Sequence, residues 1–99
     1  MKRRIISQLA IKDLEEIVDY LSIENIETGE KFIDEFEKKC LYLAKFPNVG
    51  RRYDDIKPSL RGLPLAGYII FYRIVKDRVE IIRVVSGYRD LESLFREGN

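Results

Sequence analysis

The 99-residue sequence has no histidine and a single cysteine, Cys40. An internal disulfide is therefore excluded, and so is a zinc site of the His/Cys kind on ligand count alone. Any mechanism that needs an imidazole is excluded with them. No run approaches the ~20 apolar residues that a membrane-spanning helix requires. The start, Met1-Lys2-Arg3-Arg4-Ile5-Ile6, is basic and then only briefly apolar, which does not make a signal peptide. The cytoplasm is the expected location, with no membrane partner. Repeats, low-complexity tracts, linkers and glycine-rich phosphate loops are also missing. Metal and cofactor are both expected to be none.

What is present is an ordinary globular mix with a high charge load: 45% apolar and 35% charged residues. A chain of this length makes one domain, residues 1–99, burying roughly 60 to 70% of its unfolded surface. The net charge of +1 hides an asymmetry. Residues 12–37 hold ten acids and two bases, whereas residues 51–89 hold nine bases, seven of them arginine, and four acids. Such polarity suits a charged macromolecular partner. A solvated surface with internal ion pairs is the simpler alternative.

The hydrophobic period divides the chain. Arg3-Arg4-Ile5-Ile6-Ser7 reads as a short strand, with Ser7 placed to cap a helix. Leu14, Ile17, Val18 and Leu21 then recur at helical spacing, with Asp13, Glu15, Glu16 and Asp19 between them. Asn25 caps a second helix, whose apolar face is Phe32, Ile33, Phe36, Cys40, Leu43 and Ala44 and which ends before Pro47. Two helices joined by a few residues form an antiparallel hairpin. Beyond Pro47 the pattern becomes that of strands: Leu60 to Leu63, then Tyr68 to Val75 and Val79 to Ser86, dense in Ile, Val, Phe and Tyr. A tight turn at Lys76-Asp77 joins the last two. Tyr88 to Phe95 makes a short final helix. The expected fold is α+β, with an N-terminal strand, a two-helix hairpin packed on a small antiparallel sheet, and a short C-terminal helix. The hairpin covers one sheet face, and the other is expected to be concave and rich in arginine.

The candidate contact residues are Arg61, Arg73, Arg83, Tyr88, Arg89 and Phe95. Under a two-residue turn Arg73 lies opposite Glu80, so a cross-strand ion pair is its plainest role. Arg83 has no acid opposite it. It is free to meet a partner, or to anchor Asp90 or Glu92. Tyr68, Phe71 and Tyr72 alternate with arginine, which suits base stacking, but filling the core explains them better. Arg51-Arg52 reads as a solvated loop pair. Cys40, on an apolar helix face, is a small core residue rather than a nucleophile.

In this order and spacing the chain resembles the RelE/ParE toxin superfamily, on its ParE-like side. The resemblance is carried by Ala10, Asp13-Leu14, Ile17 and Tyr20-Leu21. It continues through Phe32, Leu43-Ala44, Pro47 and Gly50-Arg51, then Leu60-Arg61 and Tyr68-Ile69-Ile70-Phe71-Tyr72-Arg73. It closes on Val79-Glu80-Ile81-Ile82-Arg83-Val84, Gly87-Tyr88-Arg89-Asp90-Leu91 and Phe95. It implies a toxin of a type II toxin–antitoxin module, silenced by a small ParD-like antitoxin in a hetero-oligomer and directed at DNA gyrase. The alternative is a RelE-like endonuclease that cuts mRNA on the ribosome. Such cleavage needs a base, an acid and cations at the phosphate. The resemblance puts the RelE-like aromatic hydroxyl at Phe95, which has no proton to give. It puts an arginine of that constellation at Ile69, and the matching arginine after the last strand is kept as Arg89. ParE-like chains often carry histidine where this one has Ser86. A protein ligand with no catalytic residue is therefore expected.

Overall fold

The computed structural model describes residues 3–97. In chain order the elements are β1 (Arg3–Ile6), α1 (Gln8–Leu21), α2 (Ile26–Lys45), β2 (Arg51–Arg52), β3 (Arg61–Leu65), β4 (Tyr68–Val75), β5 (Arg78–Ser86) and α3 (Leu91–Glu97). The strands form one sheet in the order β1-β5-β4-β3-β2.

Both helices of the hairpin start on the caps that their sequences announce. The Ser7 hydroxyl accepts from Ala10 N at 3.1 Å and donates to the carbonyl of Ile82 at 2.8 Å. One side chain thus satisfies an orphan amide of α1 and ties its first turn to β5. Asn25 Oδ1 accepts from Glu27 N at 2.9 Å at the head of α2. The helices approach closely at Gly29. A Cβ there would sit 2.3 Å from Ser22 Oγ and 3.2 Å from Val18, so any side chain at this crossing would have to displace the Ser22 hydroxyl and press on Val18.

The apolar stripes of α1 and α2 close over the sheet. Ile17, Phe32, Phe36 and Leu43 pack with Ile70, Tyr72, Ile81 and Val84 into the main core. The opposite face is not the bare, concave arginine surface expected. Leu60, Phe71, Val85 and Phe95 form a second buried cluster there, with Tyr53, Ile56, Leu91 and Leu94 packed against it. Helix α3 and the segment after β2 are its cover. Phe71 stacks edge-on against both Tyr53 and Phe95, at 5.1 and 5.0 Å between ring centroids. Phe71 and Tyr72 are neighbours on one strand, both fully buried, one in each cluster. Strict strand alternation makes that possible.

Three details depart from the expected sheet. β1 pairs with β5 in parallel, whereas all other pairings are antiparallel. Hydrophobic period carries no direction, and most of the chain lies between β1 and its neighbour, so no turn dictates the sense. Arg51–Arg52 is a two-residue strand rather than a loop. β3 runs through Pro64 instead of stopping before it. β2 pairs only with Arg61 and Gly62, so Pro64 lies beyond its reach, on an unpaired stretch of strand edge where proline is tolerated. The Lys76-Asp77 turn is as expected: Val75 pairs with Arg78, and Lys76 takes a left-handed φ of 56°.

Candidate partner-binding site

Arg83 is held by α1. Its Nε and Nη2 donate to Asp13 Oδ2 and Oδ1 at 2.8 and 2.9 Å, and Val84 N adds a third bond to Oδ2 at 3.0 Å. The pair is nearly closed to solvent, with side-chain exposures of 13% and 10%. The Asp13 carboxylate holds the Arg83 guanidinium above its ordinary pKa. A break in the register of β4 and β5 brings this about. Phe71 pairs with Arg83 and Tyr72 with Ile81, so Ile82 is the extra residue. As a result Ile81 and Val84 both enter the main core, while Ile82 and Val85 enter the second cluster. Arg83 sits at that change of phase and reaches across to the helix. The acid that anchors it is therefore neither Asp90 nor Glu92. Asp90 instead accepts from Ser93 N at 3.3 Å at the start of α3.

Arg73 pairs with Glu80 at 2.7 Å, the cross-strand partner that the two-residue turn required. Arg61 Nη1 donates to the carbonyls of Asn48 and Gly50 at 3.0 and 2.9 Å. Those carbonyls belong to the turn between α2 and β2. The same turn is held by Tyr72, whose hydroxyl donates to the Pro47 carbonyl at 2.7 Å and accepts from Gly50 N at 2.9 Å. Burial raises the Tyr72 pKa. A Cβ on Gly50 would lie 2.5 Å from that hydroxyl, so the glycine is a condition of the contact. Phe95 is buried in the second cluster. Tyr88 is 96% exposed, and Arg89 beside it is exposed too.

The six candidates are not brought to one place. Arg61 and Arg73 lie at the end of the sheet where Arg61 pairs with Tyr72. Tyr88 and Arg89 follow β5 at the opposite end, where Gly87 N donates to the Gly67 carbonyl at 3.1 Å. Two further features were invisible in sequence. One is the burial of Asp13, for which the only signal was its place beside Leu14 in the ParE-like pattern. The other is a cavity of about 180 Å³ beside β3, lined by Asn48, Arg52, Asp54, Ser59, Leu60, Arg61 and Ile74. In it Arg52 pairs with Asp54 at 2.7 Å and lowers the Asp54 pKa. Arg51 lies 4.9 Å over the Tyr53 ring. Cys40 is buried, and desolvation pushes its thiol up to about 11.

Besides Ile5, Leu9, Ile11, Val75 and Tyr88, exposed large apolar side chains lie in two places. Tyr20, Ile23 and Ile26 surround the tip of the hairpin, and Leu41, Tyr42, Phe46 and Val49 surround the end of α2. Among the described residues no helix is long and apolar enough to cross a membrane.

Comparison with known proteins agrees with this geometry. A chain from the structure of the chromosomal ParDE toxin–antitoxin system of P. aeruginosa matches with a TM-score of 0.73 at 21% identity, covering 87% of this chain and 96% of that one. The isolated RelE toxin of E. coli matches with a TM-score of 0.61 at 16% identity, covering 99% and 95%. At these identities the likeness speaks for the fold. In sequence, the chain is 27% identical over 92 residues to Toxin ParE1 of Mycobacterium tuberculosis, covering 91% of this chain and 94% of the relative. The family described as "ParE toxin of type II toxin-antitoxin system, parDE" matches residues 4–91. Nearly the whole described fold lies within that match, and the chain belongs to the ParE toxin family of type II toxin–antitoxin systems.

Proposed function

We propose that this chain is a cytoplasmic toxin that stops growth by binding DNA gyrase, as a protein ligand without chemistry of its own. A cognate ParD-like antitoxin silences it in a hetero-oligomer, and the module serves plasmid stabilisation. The observation that carries the choice between ParE-like and RelE-like action is Phe95. At the position where the RelE-like resemblance puts a proton-transferring hydroxyl, this chain has a phenyl ring packed 5.0 Å from Phe71 in a buried cluster. Ile69, at the place of a nuclease arginine, packs against the same cluster. General acid catalysis at the leaving oxygen has no donor in either side chain.

The antitoxin part is supported by surface. Leu41, Tyr42, Phe46 and Val49 leave an open apolar area at the end of α2, and Lys45 lines the same hollow as Tyr42 and Phe46. An acidic-leaning, disordered segment that folds on contact would bury those side chains and meet the lysine. The mRNA endonuclease reading is kept because the RelE structure covers 99% of this chain. One experiment separates the readings. The chain is induced alone and together with the product of the adjacent small gene, and mRNA is mapped by primer extension. Growth arrest relieved by the second gene, with intact mRNA, is the expected result. New cleavage ends on ribosome-bound mRNA would transfer the chain to the nuclease reading.

A further inference from the structure

We infer that the cavity beside β3 is a carboxylate site, which takes the side chain of an aspartate or glutamate on a protein partner. Neither nuclease position, Phe95 or Ile69, is among its lining residues, and its Arg61 bonds to the α2–β2 turn.

The cavity is built around an unfavourable pairing. Arg52 and Arg61 are directly opposite each other in the β2–β3 ladder. Like charges facing across two strands destabilise the pair. Asp54 compensates only in part. Its Oδ2 receives Arg52 Nε, and its Oδ1 receives Ser59 N at 3.1 Å. One carboxylate thus stands against two guanidiniums, and the cavity they line keeps a net positive charge. Arg61 is also oriented in advance. Its Nη1 holds the carbonyls of Asn48 and Gly50, and its Nε and Nη2 hydrogens stand outside that pair of bonds. A guanidinium so fixed presents a planar fork that matches a carboxylate with little further loss of freedom.

The walls set the class of anion. Leu60 and Ile74 line the cavity together with the polar groups of Asn48 and Ser59. A ligand with a short apolar stem and a charged tip fills both parts. Aspartate and glutamate side chains have that form, and inorganic phosphate does not. At about 180 Å³ the space suits one such side chain rather than a nucleotide.

The test uses the purified ¹⁵N-labelled chain and sodium propionate as the probe, with sodium chloride and inorganic phosphate titrated at matched ionic strength. The Nε–Hε signals of Arg52 and Arg61 and the amides of Asn48 and Ser59 are followed. Because Arg61 also holds the turn, the variant is Arg52→Gln, at an exposed position. Propionate is expected to give saturating shifts confined to the cavity, weakened by about tenfold in Arg52→Gln. Asp54→Asn is expected to bind propionate more tightly, since a competing charge is gone. Shifts no larger than those with chloride would overturn the site. Binding of phosphate as tight as that of propionate would overturn the assignment to a side-chain carboxylate. The titration needs neither antitoxin nor gyrase, so its outcome is independent of the proposed function.

Discussion

Asp13 on α1 and Arg83 on β5, seventy residues apart, share two hydrogen bonds of 2.8 and 2.9 Å in a nearly closed space. Asp13 also accepts Val84 N. The helix hairpin is therefore locked to the sheet by a charge pair as well as by apolar packing. Removing one member leaves the other desolvated and unpaired. Asp13→Ala is expected to cost about 3–5 kcal/mol of stability, measured by urea unfolding. The double replacement Asp13→Leu with Arg83→Met should recover at least about 2 kcal/mol of that loss. Simple addition of the two single losses would mean that the pair is not a coupled unit.

The turn between α2 and β2 rests on Tyr72. Tyr72→Phe takes away the acceptor of Gly50 N and the donor to the Pro47 carbonyl. The expected loss is about 1–3 kcal/mol, because a buried amide is left unsatisfied. Gly50→Ala is expected to be destabilising as well, since its Cβ would overlap the Tyr72 ring and hydroxyl. Thermal melts of both variants check this. An unchanged melting temperature in Tyr72→Phe would contradict the latch.

How far the sequence could be read depends on how local each signal is. Caps at Ser7 and Asn25, the stop before Pro47 and the Arg73–Glu80 pair follow from neighbours in the chain or across one short turn. The parallel sense of β1 and the burial of Asp13 do not. Asp13, Glu15 and Glu16 are alike by charge, and Asp13 is singled out only by a strand seventy residues away. The bulge at Ile82 that turns Arg83 towards it has no local mark, because Ile, Arg and Val all suit a strand. The second cluster was missed for a related reason. Its members come from β4, β5 and α3 and from the loop between β2 and β3, and no single segment has the period of a covered face.

Cys40 makes stability depend on alkaline pH. Its thiol is raised from 9.0 to about 11 by burial. The folded state therefore binds the proton more tightly than the unfolded state. The contribution is complete below pH 9 and is lost as pH rises through about 11. The fall in melting temperature over that window should be shallower in Cys40→Ala, compared at equal salt. Identical slopes would contradict a buried thiol. At neutral pH the folded chain should react slowly with thiol reagents, and the urea-unfolded chain quickly.

The exposed end of the sheet and the anchored arginines should separate in growth assays. Arg89→Glu is expected to weaken growth inhibition more than Arg78→Glu while leaving the melting temperature unchanged. Arg83→Glu should weaken it through loss of fold, because it sets two carboxylates against each other at Asp13. Tyr88→Phe should leave inhibition nearly intact, whereas loss of a general acid or base costs ~10²- to 10⁴-fold in rate. Growth curves at matched soluble protein check all four variants. Equal toxicity in Arg89→Glu and Arg78→Glu would remove Arg89 from the contact surface.

Plasmid supercoiling by purified gyrase, with increasing amounts of this chain, decides whether gyrase is the target. The expected result is dose-dependent loss of supercoiling, relieved by the cognate antitoxin and retained in Tyr88→Phe. Full gyrase activity in the presence of folded, growth-inhibiting protein would contradict it.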